Sequence, residues 1–333
     1  MRIAVIGAGS WGSAVAWLLA NKGHSVSLWA RDAALVATLN ETHKNPRYLS
    51  DSELPASVVA TTQLDQALNH AESVVLVTPS AATRAIAQKL AATGCLGTDV
   101  PLVLLSKGIE GGTGLLLLDV LEQELGNPAR LAVLSGPNHA EEVALGIPAG
   151  TVIASSGQDT AVWLQELFST PAFRVYTSAD VIGVQLCGAA KNIIAIAVGM
   201  SAGLGYGDNT AAVIITRGLA EISRLVSKVG GEQLTCMGLA GMGDLIATCM
   251  SRHSRNRGFG LALAQGMTLE QYEQQRHMVV EGALACKAVC DLARTQGVEM
   301  PISEQVRSVV WEAQPLDAMI WKLLDRSSKP EFY

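Results

Sequence analysis

Charge is scarce in this chain. Asp, Glu, Lys and Arg make up 16% of it against 49% hydrophobic residues, which excludes a disordered polypeptide and allows large buried cores. Positive charge is the scarcer sign. A net charge of -6 leaves little basic surface for a phosphodiester backbone, and this excludes nucleic acid as a partner. The cysteines, Cys95, Cys187, Cys236, Cys249, Cys286 and Cys290, show no CxxC pair and no zinc spacing. They read as reduced, mostly buried thiols in the cytoplasm, with no metal. Apolar runs break at Gly or polar residues before the roughly 18 residues needed to cross a bilayer, so no membrane insertion is expected. The opening MRIAVIG is too short for a signal peptide and reads as a first strand.

What is present is organised in two parts. A chain of 333 residues exceeds one average domain. Over residues 1–180, short β-rich runs alternate with helical stretches. The strand candidates are Ile3–Ile6, Ser25–Trp29, Val58–Ala60, Ser73–Val77, Leu102–Leu105, Leu131–Leu134 and Thr151–Ala154, with Arg174–Tyr176 at an edge. Runs such as VVLV and LVLL suit strands covered on both faces of a parallel sheet, with helices such as Ser13–Asn21 and Thr83–Ala92 between them. The expectation is an α/β fold: an N-terminal doubly wound Rossmann-type domain, then an all-helical C-terminal domain over 181–333. The polar tail SSKPEFY is assigned no role.

Gly7-Ala8-Gly9-Ser10-Trp11-Gly12 fits G-x-G-x-x-G directly after the strand IAVI and before a helical pattern. Gly7 permits a tight turn, Gly9 lets the backbone approach a pyrophosphate, and Gly12 packs helix against strand, with the helix N-terminus facing the anion. The second strand ends in Trp29-Ala30-Arg31-Asp32. An acid there favours the free 2′-hydroxyl of NAD and an arginine the 2′-phosphate of NADP. Arg31 tilts the reading towards NADPH over NADH. Asp32 serves equally well as a helix N-cap.

Two lone charges stand in apolar stretches. Between Asp180, a candidate N-cap, and Asp208 the only charge is Lys191, and from Gln233 to Ser251 the only one is Asp244. Each is costly to bury alone, so the economical arrangement brings them together, although a structural ion pair would satisfy the same argument. On its helix face Lys191 shares small neighbours, Val184, Cys187, Gly188 and Ala195, which leave room for a ligand over the amine. Burial lowers the lysine's pKa while a carboxylate raises it. Lys107 follows the strand LVLLS, at the ligand-bearing end of such a sheet or simply solvated there. The segment Arg252-His253-Ser254-Arg255-Asn256-Arg257 concentrates cations and hydrogen-bonding groups that suit a phosphate, and no aromatic platform accompanies it.

The blocks SGPNHAEEV, LCGAAKN, GLGYGDNT, TRGLAE, GLAGMGDL and SRNRGFG, in this order, resemble the NAD(P)-dependent sn-glycerol-3-phosphate dehydrogenases of the bacterial and plastid type. The resemblance runs from the first strand to about residue 310. It implies a two-domain oxidoreductase interconverting dihydroxyacetone phosphate and sn-glycerol 3-phosphate for glycerophospholipid synthesis. It also implies residue roles. Ser10, Trp11, Arg31, Tyr48, Ala140, Arg255, Val279 and Glu281 match cofactor contacts, and Lys107 matches a lysine touching cofactor and substrate. Lys191 matches the proton acceptor, beside Asp244 and Lys107. Gly136, Asn138, Asp244, Ser254, Arg255 and Asn256 match the substrate set. Asn138 departs from the usual Ser or Thr, and Gly150 is a second small departure.

Two rivals follow from the residues alone. One is a related two-domain 3-hydroxyacid or ketopantoate-type reductase, whose substrate ends in a carboxylate. The other is a non-catalytic NAD(P)H-sensing protein, which has no need of isolated buried charges. A homodimer is the default assembly for a soluble enzyme.

Overall fold

The computed structural model describes residues 1–276 and 279–316; the tail SSKPEFY and the rest of 317–333 lie outside the described residues. Ten strands form among the described residues, eight of them from the aliphatic runs of residues 1–180. In chain order these are β1 (Arg2–Ile6), β2 (Ser25–Trp29), β3 (Lys44–Asn45), β4 (Leu49–Glu53), β5 (Val58–Thr61), β6 (Ser73–Leu76), β7 (Leu102–Leu104), β8 (Leu131–Ser135), β9 (Ala149–Ser155) and β10 (Phe173–Ser178). Eight of them form one sheet in the order β10-β9-β8-β7-β6-β1-β2-β5. Strands β6 and β7 are buried along their whole length, as helices on both faces require.

The sheet departs from the parallel expectation once: β9 runs antiparallel to β8. The chain between them holds only the four-residue helix Ala140–Val143, too little to carry it back over the sheet face, so it reverses direction. A second departure is the small antiparallel pair β3–β4, which the sequence reading missed because both strands are short and polar.

The strand order reverses around β1, flanked by β2 on one side and β6 on the other. The loops after β1 and β6 therefore splay apart at their carboxyl ends and open a crevice. Lys107 follows β7, the next strand along that edge.

No strand follows Ser178 among the described residues. Asp180 opens the long helix Val181–Gly203 by accepting from the Gly183 amide at 2.8 Å, as the N-cap reading expected. By length and mean hydropathy (1.8) this helix could cross a membrane, contrary to the expectation that no run reaches that length. However, 89% of its apolar window is buried inside the protein, so the helix serves as the core of the helical half. Helix Arg255–Ala264 lies directly on it. A Cβ at Gly199 would overlap the Arg257 carbonyl, and one at Gly260 the Ile196 carbonyl, so paired glycines set this close approach. Ile109 and Leu116, from the loop after β7, belong to the same helical core. That loop is thereby anchored in both halves.

Candidate active site

The glycine loop is built by exclusion. Gly7 has φ +125°, and a Cβ there would overlap the Val77 carbonyl; a Cβ at Gly12 would overlap the Gly7 carbonyl. Gly9 has nothing within 4 Å of its would-be Cβ, so its backbone stands open to the crevice. Helix Ser10–Asn21 begins after Gly9 without any side-chain cap, which leaves its first-turn amides for an anion. Strained turn, open glycine and uncapped helix together fit a dinucleotide pyrophosphate. Trp11 packs at 6.5 Å from the Phe173 ring and steadies the first helical turn.

At the tip of β2, Asp32 caps helix Ala33–Thr42, accepting from the amides of Ala34 and Leu35 at 2.9 and 3.2 Å. Its other oxygen lies 3.8 Å from Arg47. The acid is thus engaged, while Arg31 is exposed. Tyr48 sits under the Arg47 guanidinium, 5.1 Å from ring centroid to charge. The β3–β4 pair carries Tyr48 and is pinned to the glycine loop by Asn45, which donates to the Ala8 carbonyl at 3.0 Å and Ser13 Oγ at 2.7 Å.

The three charges converge. Asp244, 2% exposed, accepts from Lys191 Nζ on Oδ1 and from Lys107 Nζ on Oδ2, both at 2.6 Å. Lys191 is 6% exposed. Gly188, one turn before Lys191, packs against Ser135 Oγ and the Lys107 stem, which lie 3.1 and 3.5 Å from where a Cβ would stand. Asp244 follows the π-helical turn Leu239–Gly243, where Gly241 admits a close approach to the preceding backbone (a Cβ there would overlap the Cys236 carbonyl). Lys107 Nζ also donates to the Gly136 carbonyl at 3.2 Å. The loop bearing Lys107 is braced from outside by Arg84, which grips Glu110 with two bonds of 2.8 Å and Glu124 with one of 2.5 Å.

Two ammonium groups facing one carboxylate leave a surplus positive charge in a dry site. Burial pulls the Lys191 ammonium down to about 8, with Asp244 opposing and the charge of Lys107 adding to the fall. Burial outweighs the carboxylate. For Asp244, burial pushes the carboxyl up, but the two ammonium charges prevail and hold it below the ordinary range.

The other candidates lie around this centre. A Cβ at Gly136 would stand 2.8 Å from Thr151 Cα, so the loop after β8 approaches β9 closely. Asn138 donates to the Gly150 carbonyl at 3.1 Å, and its Oδ1 is buried with no hydrogen-bond partner among the described residues. Ala140 is buried at the start of its short helix. Ser254 caps helix Arg255–Ala264, accepting from the Arg257 amide at 3.2 Å, and Arg255 is exposed. Asn256 ties its side chain to Asn192 Oδ1 and the Gly282 amide, at 3.0 and 2.9 Å. Val279 is 37% exposed. Glu281 accepts from both the amide and the hydroxyl of Ser80, in the loop after β6, and burial raises its pKa against those donors.

Two family models match in succession, the N-terminal part of NAD-dependent glycerol-3-phosphate dehydrogenase over residues 2–161 and its C-terminal part over 180–321. The NAD(P)+ glycerol-3-phosphate dehydrogenase of Chlorobium luteolum is 46% identical over 333 residues, 99% of each chain, and that of Clostridium perfringens 46% over 330 residues, also 99% of each. This chain belongs to the NAD-dependent glycerol-3-phosphate dehydrogenase family. The crystal structure of glycerol-3-phosphate dehydrogenase from Coxiella burnetii superposes with a TM-score of 0.93 at 39% identity, covering 98% of this chain and 99% of that one. A ketopantoate reductase from Ralstonia eutropha shares the fold alone, with a TM-score of 0.63 at 18% identity over 96% of this chain and 100% of that one.

Sequence reasoning missed three residues that the structure ties into this candidate site. Thr248 accepts from Lys191 Nζ at 2.7 Å while donating to the Asp244 carbonyl at 2.6 Å. Its signal was the four-residue spacing from Asp244, which puts both on one helix face. Asn192 lay beside Lys191, inside the quoted block LCGAAKN. Asn45 had only its place in NPRYL to reveal it.

Proposed function

We propose that this chain reduces dihydroxyacetone phosphate to sn-glycerol 3-phosphate with NADPH or NADH, and catalyses the reverse oxidation, supplying glycerophospholipid synthesis in the cytoplasm. The observation that carries this is the buried Lys107–Asp244–Lys191 centre at the same sheet edge as the glycine loop. In this reading residues 1–180 hold the dinucleotide and 181–333 complete the substrate site.

When bound, the nicotinamide supplies the hydride in reduction and accepts it in oxidation. Lys191 gives its proton to the ketone oxygen in reduction and takes it back in oxidation, a role suited to an amine poised near 8. Lys107, with the surplus charge of the centre, polarises that oxygen, and Asp244 orients both amines. The exposed fork of Arg255 and the amides that open helix Arg255–Ala264 hold the phosphate, with Ser254 and Asn256 fixing that turn. Such anchoring supplies orientation far from the reacting carbon. Gly136 and Asn138 border the same space. Gly7, Gly9, Ser10, Trp11 and Gly12 receive the pyrophosphate, with Ala140, Val279 and Glu281 as further cofactor contacts. Arg31 with Tyr48 takes the adenosine side. The engagement of Asp32 as a helix cap supports NADPH over NADH, because it leaves arginine, not acid, at the tip of β2.

Steady-state oxidation of NADPH and of NADH with a panel of phosphorylated and carboxylated ketones tests the reading. Dihydroxyacetone phosphate should drive oxidation and ketopantoate should not. Preference for a carboxylated ketone would assign the chain to the rival reductase. Cofactor binding with no ketone-dependent oxidation would make it a sensor.

A homodimer is part of the same proposal. Val213, Ile246 and Met250, on neighbouring helices of the helical half, are 60%, 44% and 59% exposed and suit a self-complementary contact. Sedimentation at the mass of one 34.9 kDa chain would refute it.

A further inference from the structure

We infer that a second anion site lies in the helical half, in a groove of about 480 Å3 between helices Arg255–Ala264 and Leu269–Arg276, and that it takes a small soluble ligand bearing two or more phosphate-type charges. Its volume falls in the range of small-molecule sites. Arg252, Arg257 and Arg276 line it beside Gln265 and Gln275, and among the described residues no acidic residue does. That concentration of one sign stands in a chain of net charge -6. Arg84, Arg294 and Arg307 each hold a carboxylate. None of the three groove arginines is within ion-pair distance of an acid among the described residues. Arginine forks suit phosphate oxygens, and the apolar side chains of Leu261 and Met267 also line the groove.

The groove is not the substrate cradle. Asn256 turns towards Asn192 and Gly282, whereas the groove takes Arg257, Leu261 and Gln265, a separate stripe at four-residue spacing. The two are mechanically joined. Tyr272, in the groove wall, donates its hydroxyl to the Arg255 carbonyl at 3.2 Å and packs on Phe259 with ring centroids 5.4 Å apart. Bound anion would therefore draw on the positive potential of the helix start that we assign to the substrate phosphate, and raise the KM for substrate. This kinetic consequence rests on the proposed function; the binding does not.

Pyrophosphate is the probe. Calorimetric titration into the full chain, with saturating sn-glycerol 3-phosphate and no cofactor, should show one bound pyrophosphate. Arg276→Gln should weaken it about tenfold, or about 1.4 kcal/mol, and Arg252→Gln/Arg276→Gln should abolish it. Without pyrophosphate, Arg276→Gln should keep kcat and KM within about twofold, as expected for an exposed side chain. Pyrophosphate should raise the KM for dihydroxyacetone phosphate in the wild type and not in the double variant. No binding once substrate fills its site, or equal binding by the variants, overturns the proposal. Sedimentation of the wild type with phosphatidic acid vesicles, without affinity for free pyrophosphate, would assign the groove to a lipid surface and equally overturn it. Turnover by untreated wild type tests the dehydrogenase reading separately.

Discussion

The two halves of the molecule prepare for their ligands in opposite ways. In the α/β half the decisive feature is missing atoms: Gly7 and Gly12 have no room for a Cβ, and Gly9 keeps its backbone bare. In the helical half it is charge kept where burial opposes it, with Lys191 and Asp244 at 6% and 2% exposure. The first device is local, made by neighbours in sequence. The second is assembled by folding, since Lys107, Lys191 and Asp244 reach one point from three distant segments. A glycine loop binds through shape, whereas a buried charge acts only through its partners.

The largest effect should come from removing the amine. Lys191→Ala is expected to lower kcat by about 10³-fold or more while leaving NADPH affinity nearly unchanged, the range for losing a general acid. Retention of most of kcat would reduce the centre to a structural ion pair. The wild-type pH profile checks the same point. Reduction needs Lys191 protonated, so kcat for dihydroxyacetone phosphate should fall as pH rises through about 8, and oxidation should rise over the same range. A reduction rate flat to high pH would contradict the assignment.

Gly12→Ala breaks the other half of the comparison. The added methyl would overlap the Gly7 carbonyl and must push the helix start away. Affinity for NADPH should fall on the order of a hundredfold, with about 2 to 3 kcal/mol lost to overpacking. Calorimetric cofactor titration reads it, and unchanged affinity would mean the loop does not bind through shape.

These outcomes bear on what could be read beforehand. The eight main strands and the helix over Thr83–Ala92 were legible because continuous aliphatic runs and 3.6-residue periodicity are local signals. The glycine loop was legible for the same reason. The pairing of Lys191 with Asp244 came from the cost of burying each alone. The cost of burial points to that pair alone; Lys107 stands as a third candidate only by its place after β7, with a solvated alternative, because a lysine at a strand end carries no local sign of a buried partner. Thr248 was hidden because Thr is cheap to bury when bonded and does not stand out in an apolar run, and Asn45 because one more polar residue does not stand out in the polar stretch around it. The reversal of β9 was hidden because both faces of a strand read alike whichever way it runs.

Arg255→Ala should act on binding more than on chemistry. Losing a charge-assisted fork on the phosphate is expected to raise the KM for dihydroxyacetone phosphate roughly tenfold to thirtyfold, about 1.5 to 2 kcal/mol. The exposed side chain makes a folding defect a poor alternative explanation. An unchanged KM would remove Arg255 from the phosphate cradle and leave that work to the helix amides.

The smallest effect asks whether buried charge by itself marks function. Glu221 is 2% exposed, and its carboxylate receives the amides of Ile302 and Ser303 at 2.7 and 3.3 Å, capping helix Pro301–Glu312. Burial raises its pKa to about 7 despite those donors. A folded-state value above the unfolded one means the folded protein holds the proton more tightly. The resulting stabilisation is complete below about 4.5 and is lost as pH rises through about 7. Glu221→Gln should leave kcat and KM untouched while flattening the dependence of Tm on pH between about 5 and 8, a difference on the order of 2 to 3 kcal/mol. Loss of activity without a change in that slope would make Glu221 part of the chemistry. The expected result narrows the rule instead: a buried charge satisfied by helix amides is architecture, and one that faces a surplus of like charge is a site.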